Sequence, residues 1–162
     1  MRIQFKLHQK TFSINSMYYN NRSAKTQNAL EWSAQILHQL NKVEIQKKLK
    51  KARDFYNPKK HKYEINLKAY YPREILFTKD GQLSGKCHDI SNWEKPLIDL
   101  IFLKKYFDKP SPYGCKNLNV DDKHLSKLIS EKCLSKDGTF YIVVKLTIKE
   151  IWWKLSGIRG YQ

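Results

Sequence analysis

Residues 88–99 read His-Asp-Ile-Ser-Asn-Trp-Glu-Lys-Pro-Leu-Ile-Asp, placing three carboxylates, an amide and a lysine in one short stretch. A second acidic pair, Asp121-Asp122, follows after a linker. Carboxylates this local, in a chain otherwise rich in lysine, suit a divalent cation that works on a phosphodiester. Such cleavage needs an activated water, neutralised charge at phosphorus and a stabilised leaving oxygen, and magnesium held by a few carboxylates supplies all three. Asp89, at a strand-to-helix junction, joined in space by Asp122 or Asp121, would make such a site. Lys95 lies about one helical turn from Asn92, where its compact charge could meet a phosphate.

Each of these residues also has a plainer reading. Asp89 can complement the positive end of the helix that follows it. Lys95 and Asp99 are four apart and can form an ordinary surface pair. Asp121-Asp122 can be a solvated turn.

The elements that must position these groups follow from periodicity. Residues 2–7 alternate, with Ile3, Phe5 and Leu7 on one side, and predict a first strand. Residues 11–22 carry turn chemistry and aromatics. From about Ser23 a helix is predicted, with Leu30, Trp32, Ala34, Ile36, Leu37 and Leu40 as its apolar stripe. The basic run from Lys47 to Arg53 either continues that helix or follows a break near Asn41, and Asn57-Pro58 stops it. His61 to Tyr71 alternates as a half-buried strand. Pro72 to Cys87 reads as a loop with a turn at Lys79-Asp80-Gly81. A second helix is expected from Asn92 to about Phe107, capped by Ser91 or Asn92, with Ser91 and Glu94 spaced as a capping box and Pro96 near the first turn. Residues 108–119 form a linker. A strand through Ile129, Glu131 and Cys133, a hairpin turn at Ser135-Lys136-Asp137-Gly138 and a last strand over Phe140–Ile148 complete the chain. The expected architecture is one α+β domain over residues 1–150. It holds a mixed sheet, a C-terminal hairpin and two main helices, and a tryptophan-rich tail follows over 151–162.

Composition narrows the partners. Lysine and arginine number 31 against 15 acidic residues in 162, a formal charge of +16. Self-repulsion of that size points to an acidic partner, nucleic acid before anionic membrane, unless the lysines only solubilise the surface. The hydrophobic content of 41% is that of a folded domain. Three cysteines, Cys87, Cys115 and Cys133, form no C-x-x-C pair, which argues against a disulfide framework and against zinc. With no membrane-length apolar run and no signal-peptide pattern, the expected setting is intracellular and cytoplasmic.

The stretch Asp89-Ile90-Ser91-Asn92-Trp93-Glu94-Lys95-Pro96-Leu97-Ile98-Asp99 resembles the D-x-D-N-x-x-K…D signature of the RusA-type Holliday-junction resolvases. Asp121-Asp122 resembles that family's acidic pair, and Ser13-Ile14-Asn15-Ser16-Met17-Tyr18-Tyr19-Asn20-Asn21-Arg22 is similar to its N-terminal loop. The order of elements agrees from Ile3 to Glu150. The resemblance implies a homodimeric endonuclease, dependent on magnesium or manganese, that nicks four-way DNA junctions symmetrically. It carries Asp89 and Asp122 over as metal ligands and catalytic residues, Lys95 as the catalytic lysine and Asp121 as a supplement. The family's second aspartate falls on Ser91 here, a weaker ligand that could act through water. Expected nucleic-acid contacts are Asn15, Tyr18, Tyr19, Arg22, Lys25, Lys79 and Lys86. Two competing readings are a non-catalytic DNA binder weakened at Ser91 and a basic RNA-binding protein whose aromatics stack on bases.

Overall fold

Alternating apolar residues build three of the four strands of the computed structural model, which describes residues 1–17, 25–87, 89–102 and 117–151. They are β1 (Arg2–Leu7), β2 (His61–Tyr71), β3 (Leu125–Leu134) and β4 (Tyr141–Glu150). The strands form one mixed sheet in the order β1-β4-β2-β3. β4 runs antiparallel to both neighbours, whereas β3 lies parallel to β2. A parallel pair needs a long crossover, and residues 72–124 supply it. They contain a one-turn helix α3 (Arg73–Leu76) and the longer helix α4 (Ile90–Phe102). Helices α1 (Gln27–Leu40) and α2 (Val43–Phe55) precede β2. The result is a single α+β domain.

One sheet face makes the core. Ile3, Phe5 and Leu7 of β1, Tyr63, Ile65, Leu67, Ala69 and Tyr71 of β2, and Ile142, Val144, Leu146 and Ile148 of β4 are buried there. The same cluster includes Trp32, Ile36 and Leu40 of α1, Ile45, Leu49 and Ala52 of α2, and Trp93, Leu97, Leu100 and Ile101 of α4. The alternate strand residues stay half-buried or exposed, so no described element covers the other face.

Several expectations need correction. Of the two alternatives for the basic run, the break near Asn41 is the one observed, with α1 ending at Leu40 and α2 starting at Val43. The two main helices are therefore three. Leu30 does not join the α1 stripe; it is 50% exposed, and Ala29 and Ser33 are buried instead. Pro72–Cys87 is not wholly loop, since Arg73–Leu76 is helical and Phe77 bridges Leu83. The turn at Lys79-Asp80-Gly81 is present, with Gly81 at φ 79. Helix α4 begins at Ile90, so Ser91 and Glu94 lie inside it and do not form a capping box. Pro96 then falls in the second turn, where it removes the N–H that the Asn92 carbonyl would accept. Pro96 is buried, as are Trp93 and Leu97 of the same helix. The C-terminal part of the expected second helix, Cys115 and the tail beyond Ile151 lie outside the described residues.

The C-terminal hairpin is also absent. Residues 135–138 do reverse the chain: Asp137 accepts from the hydroxyls of Ser135 and Thr139 and from the Thr139 N–H, and Gly138 has φ 69. Yet β4 inserts between β1 and β2, leaving β3 on the far side of β2. The burial patterns show why. β4 alternates cleanly, as an inner strand must, whereas β3 exposes Leu128, Ile129 and Leu134 as an edge strand.

Tyr63 sits where β2 meets this layer. It stacks on Tyr56 at 4.3 Å and meets Phe102 edge-on at 5.4 Å. Its hydroxyl is buried with no hydrogen-bond partner among the described residues, and burial pushes the phenol pKa well up. An unpaired buried hydroxyl costs stability. Tyr63→Phe should therefore leave the denaturant midpoint unchanged or raise it. Tyr63→Ala should cost about 3–5 kcal/mol, by analogy with other buried aromatic truncations.

Candidate active site

Two chain segments meet where α4 passes the start of β3. Trp93, Leu97 and Ile101 are fully buried at i, i+4 and i+8, which turns Lys95 and Asp99 of α4 toward the surface. The second segment is pinned to the helix. Leu118 N–H donates to the Ile101 carbonyl at 3.1 Å and Val120 N–H to that of Phe102 at 3.2 Å. The Asn117 amide donates to the Leu100 carbonyl, and Arg53 of α2 donates to the Asn117 carbonyl at 2.8 Å. Asn119, at φ 54, takes the left-handed conformation that asparagine tolerates better than most residues. Asp121 then caps a short 3-10 turn, Asp122–His124, by accepting from Lys123 N–H at 3.1 Å.

This pinning delivers Asp122 to Lys95. The Lys95 ammonium lies 2.6 Å from Asp122 Oδ2 and 2.7 Å from Asp99 Oδ1. Two carboxylates from separate segments thus converge on one cation. Asp122 first, and then Asp99, hold the Lys95 pKa well above the ordinary lysine range. Lys95 therefore stays protonated at neutral pH and cannot serve as a general base. An ammonium has three donors; two are engaged by carboxylates, and the third can meet an incoming phosphate oxygen.

The other expected site residues are distributed around this point. Asp89 is exposed immediately before α4, and its backbone carbonyl accepts from Asn92 N–H at 3.0 Å. Ser91 is exposed in the first turn. Asp121 faces Lys123, 3.6 Å away, rather than Lys95. Asn15 is exposed on the turn Ile14–Ser16, which packs against α4, so the N-terminal loop does approach the helix that carries Lys95. Lys25 is half-buried just ahead of α1, while Lys79 and Lys86 are exposed in the loop before α4. Tyr18, Tyr19 and Arg22 lie outside the described residues. Sequence reasoning passed over Asp99 as a site residue, although its i,i+4 spacing from Lys95 was the available signal.

Among the described residues no three His, Cys, Asp or Glu side chains gather as a metal cluster. The Asp99–Asp122 pair nevertheless suits a hard cation. Their oxygens lie within two hydrogen-bond lengths of each other, and magnesium commonly takes only one or two carboxylates and keeps its remaining waters.

Lys95, Asp99 and Asp122 are each about half exposed, so solvent screens their attraction. Asp99→Asn and Asp122→Asn should each change unfolding free energy by less than about 1 kcal/mol in urea melts. A larger loss would make the cluster a stability element. The Lys95 contribution has a raised folded pKa, so it should persist through neutral pH and be lost only as strongly alkaline pH deprotonates the lysine.

No family model matches the chain and no curated protein matches it.

Proposed function

We propose that this protein is a metal-dependent, structure-selective DNA endonuclease of the Holliday-junction resolvase type, with Lys95, Asp122 and Asp99 at its centre. The observation that carries the reading is the 2.6 Å contact between Lys95 and Asp122. These two residues are 27 positions apart, and the resemblance to RusA-type resolvases assigns both to the active site. A net charge of +16 supplies the attraction for a polyanion.

In this reading Asp99 and Asp122 hold magnesium or manganese, which when bound supplies an activated water and neutralises charge at phosphorus. Lys95 keeps the carboxylates together and places a permanent positive charge beside the scissile phosphate. Its role is electrostatic, because a lysine held in the charged state neither takes nor readily gives a proton. Asp89, just before the same helix, and Ser91, in its first turn, would act on waters around the metal. Asn15, beside α4, would meet the DNA backbone. Two copies would give the paired nicks that resolve a junction.

The second reading is a DNA binder of the same fold without catalysis, favoured by the lack of a third acidic group at the cluster among the described residues. Incubation with a labelled four-way junction and a matched linear duplex, with and without magnesium, separates the two. The nuclease reading predicts metal-dependent nicks in the junction alone. Lys95→Met should slow them by about 100-fold or more, as loss of one preorganised charge contact does elsewhere. Asp122→Asn should abolish nicking and leave junction binding equal or tighter. Binding without nicks by the parent protein would establish the second reading.

A further inference from the structure

The sheet face turned away from the helices has a composition that the catalytic cluster does not explain. Register fixes its members. Arg2, Gln4 and Lys6 come from β1, and Tyr141, Val143, Lys145, Thr147 and Lys149 from β4. Lys62, Glu64, Asn66, Lys68 and Tyr70 come from β2, with Lys127, Ile129, Glu131 and Cys133 from the edge strand. All are half-buried or exposed. The two glutamates are already neutralised, Glu131 by Lys68 and Glu64 by Lys149, each at 2.9 Å. Arg2, Lys6, Lys62, Lys127 and Lys145 have no ion-pair partner among the described residues. At one end Tyr70 and Tyr141 stack across β2 and β4, with centroids 4.3 Å apart and planes 14° apart. The Lys6 ammonium sits 3.6 Å over the Tyr141 ring.

An open sheet face with unpaired cations, amide and hydroxyl groups and a parallel aromatic pair fits one kind of partner. We propose that this face binds an unpaired nucleic-acid strand: Arg2, Lys6, Lys127 and Lys145 meet phosphates, and the Tyr141–Tyr70 pair takes a stacked base. Lys6 occupies the place over Tyr141 that such a base would take, and its long stem lets the ammonium move onto the neighbouring phosphate. Base stacking on aromatics tolerates any sequence, and a cationic surface tracks the backbone. Gln4, Asn66 and Thr147 sit among the cations, where base edges that are free only in an unpaired strand can reach them. A second copy packed face to face is disfavoured, since it would set these cations against themselves. The proposal rests on the nucleic-acid part of the preceding reading and not on catalysis.

The test is fluorescence anisotropy with labelled poly(dT) and with a linear duplex, across a salt series, on the full chain. Tyr141→Leu should weaken poly(dT) binding about tenfold and duplex binding less than about twofold. Lys6→Glu with Lys145→Glu should lower the salt slope for poly(dT) by about 1.4, two phosphate contacts at about 0.7 each. Lys47→Glu with Lys51→Glu, on the exposed side of α2, should change affinity less than about twofold. The inference is overturned if the α2 pair loses as much as the sheet pair. Unchanged poly(dT) binding by Tyr141→Leu would overturn it too, as would binding to phosphatidylserine vesicles in preference to poly(dT). If the Tyr141 variant melts early, the lysine variants decide alone. Sheet variants that bind poly(dT) poorly yet still nick the four-way junction separate failure of this inference from failure of the nuclease reading.

Discussion

Two ionised carboxylates at one point of a surface repel each other unless a cation sits between them, and here Lys95 is that cation. Its ammonium joins Asp99, one helical turn away on α4, to Asp122, which arrives from the far end of the crossover. Like-charge repulsion would otherwise drive Asp99 and Asp122 apart. The cluster's geometry is therefore set by a charge balance, while its position is set by the backbone bonds that pin residues 117–120 to the carbonyls of α4.

Those bonds tie the site to the core. Trp93, Leu97 and Ile101 fix the rotation of α4 against the sheet, and the parallel pairing of β3 with β2 fixes where the chain after Asp122 must go. Helix and strand are rigid, so the contact between Lys95 and Asp122 is held from both sides. No described helix is long and apolar enough to cross a membrane. The helices spend their apolar faces on one side of the sheet and leave the other side charged. The molecule thus presents two features with opposite electrostatic character: a local acidic cluster organised by one lysine, and a broad cationic sheet face.

Much of this was legible in the residues. β1 and β2 could be read to the residue because their alternation reports one buried face directly. The pairing of β3 was not legible. A turn such as Ser135-Lys136-Asp137-Gly138 encodes reversal of the chain but not which strand lies alongside, and β4 passes beyond β2 to reach its place. The start of α4 was misjudged because Ser91 and Glu94 have the spacing of a capping box, whereas the helix begins at Ile90. At the site, residue chemistry and spacing offered Asp89, Lys95 and Asp122 as candidates, and the resemblance to a family motif added their roles. Asp99 hid behind the ordinary i,i+4 reading of a lysine and an aspartate. The open sheet face could not be seen until register placed Lys6, Tyr70, Tyr141 and Lys145 on one side.

The most direct test of the central claim is a manganese titration of the purified protein, followed by water-proton relaxation, on the parent and on single aspartate variants. If Asp99 and Asp122 form the working pair, the parent binds manganese, and Asp99→Asn and Asp122→Asn each weaken binding about tenfold or more. Asp121→Asn, whose carboxylate faces Lys123, should weaken it far less. Manganese binding that is unaltered in both Asp99→Asn and Asp122→Asn would contradict the account.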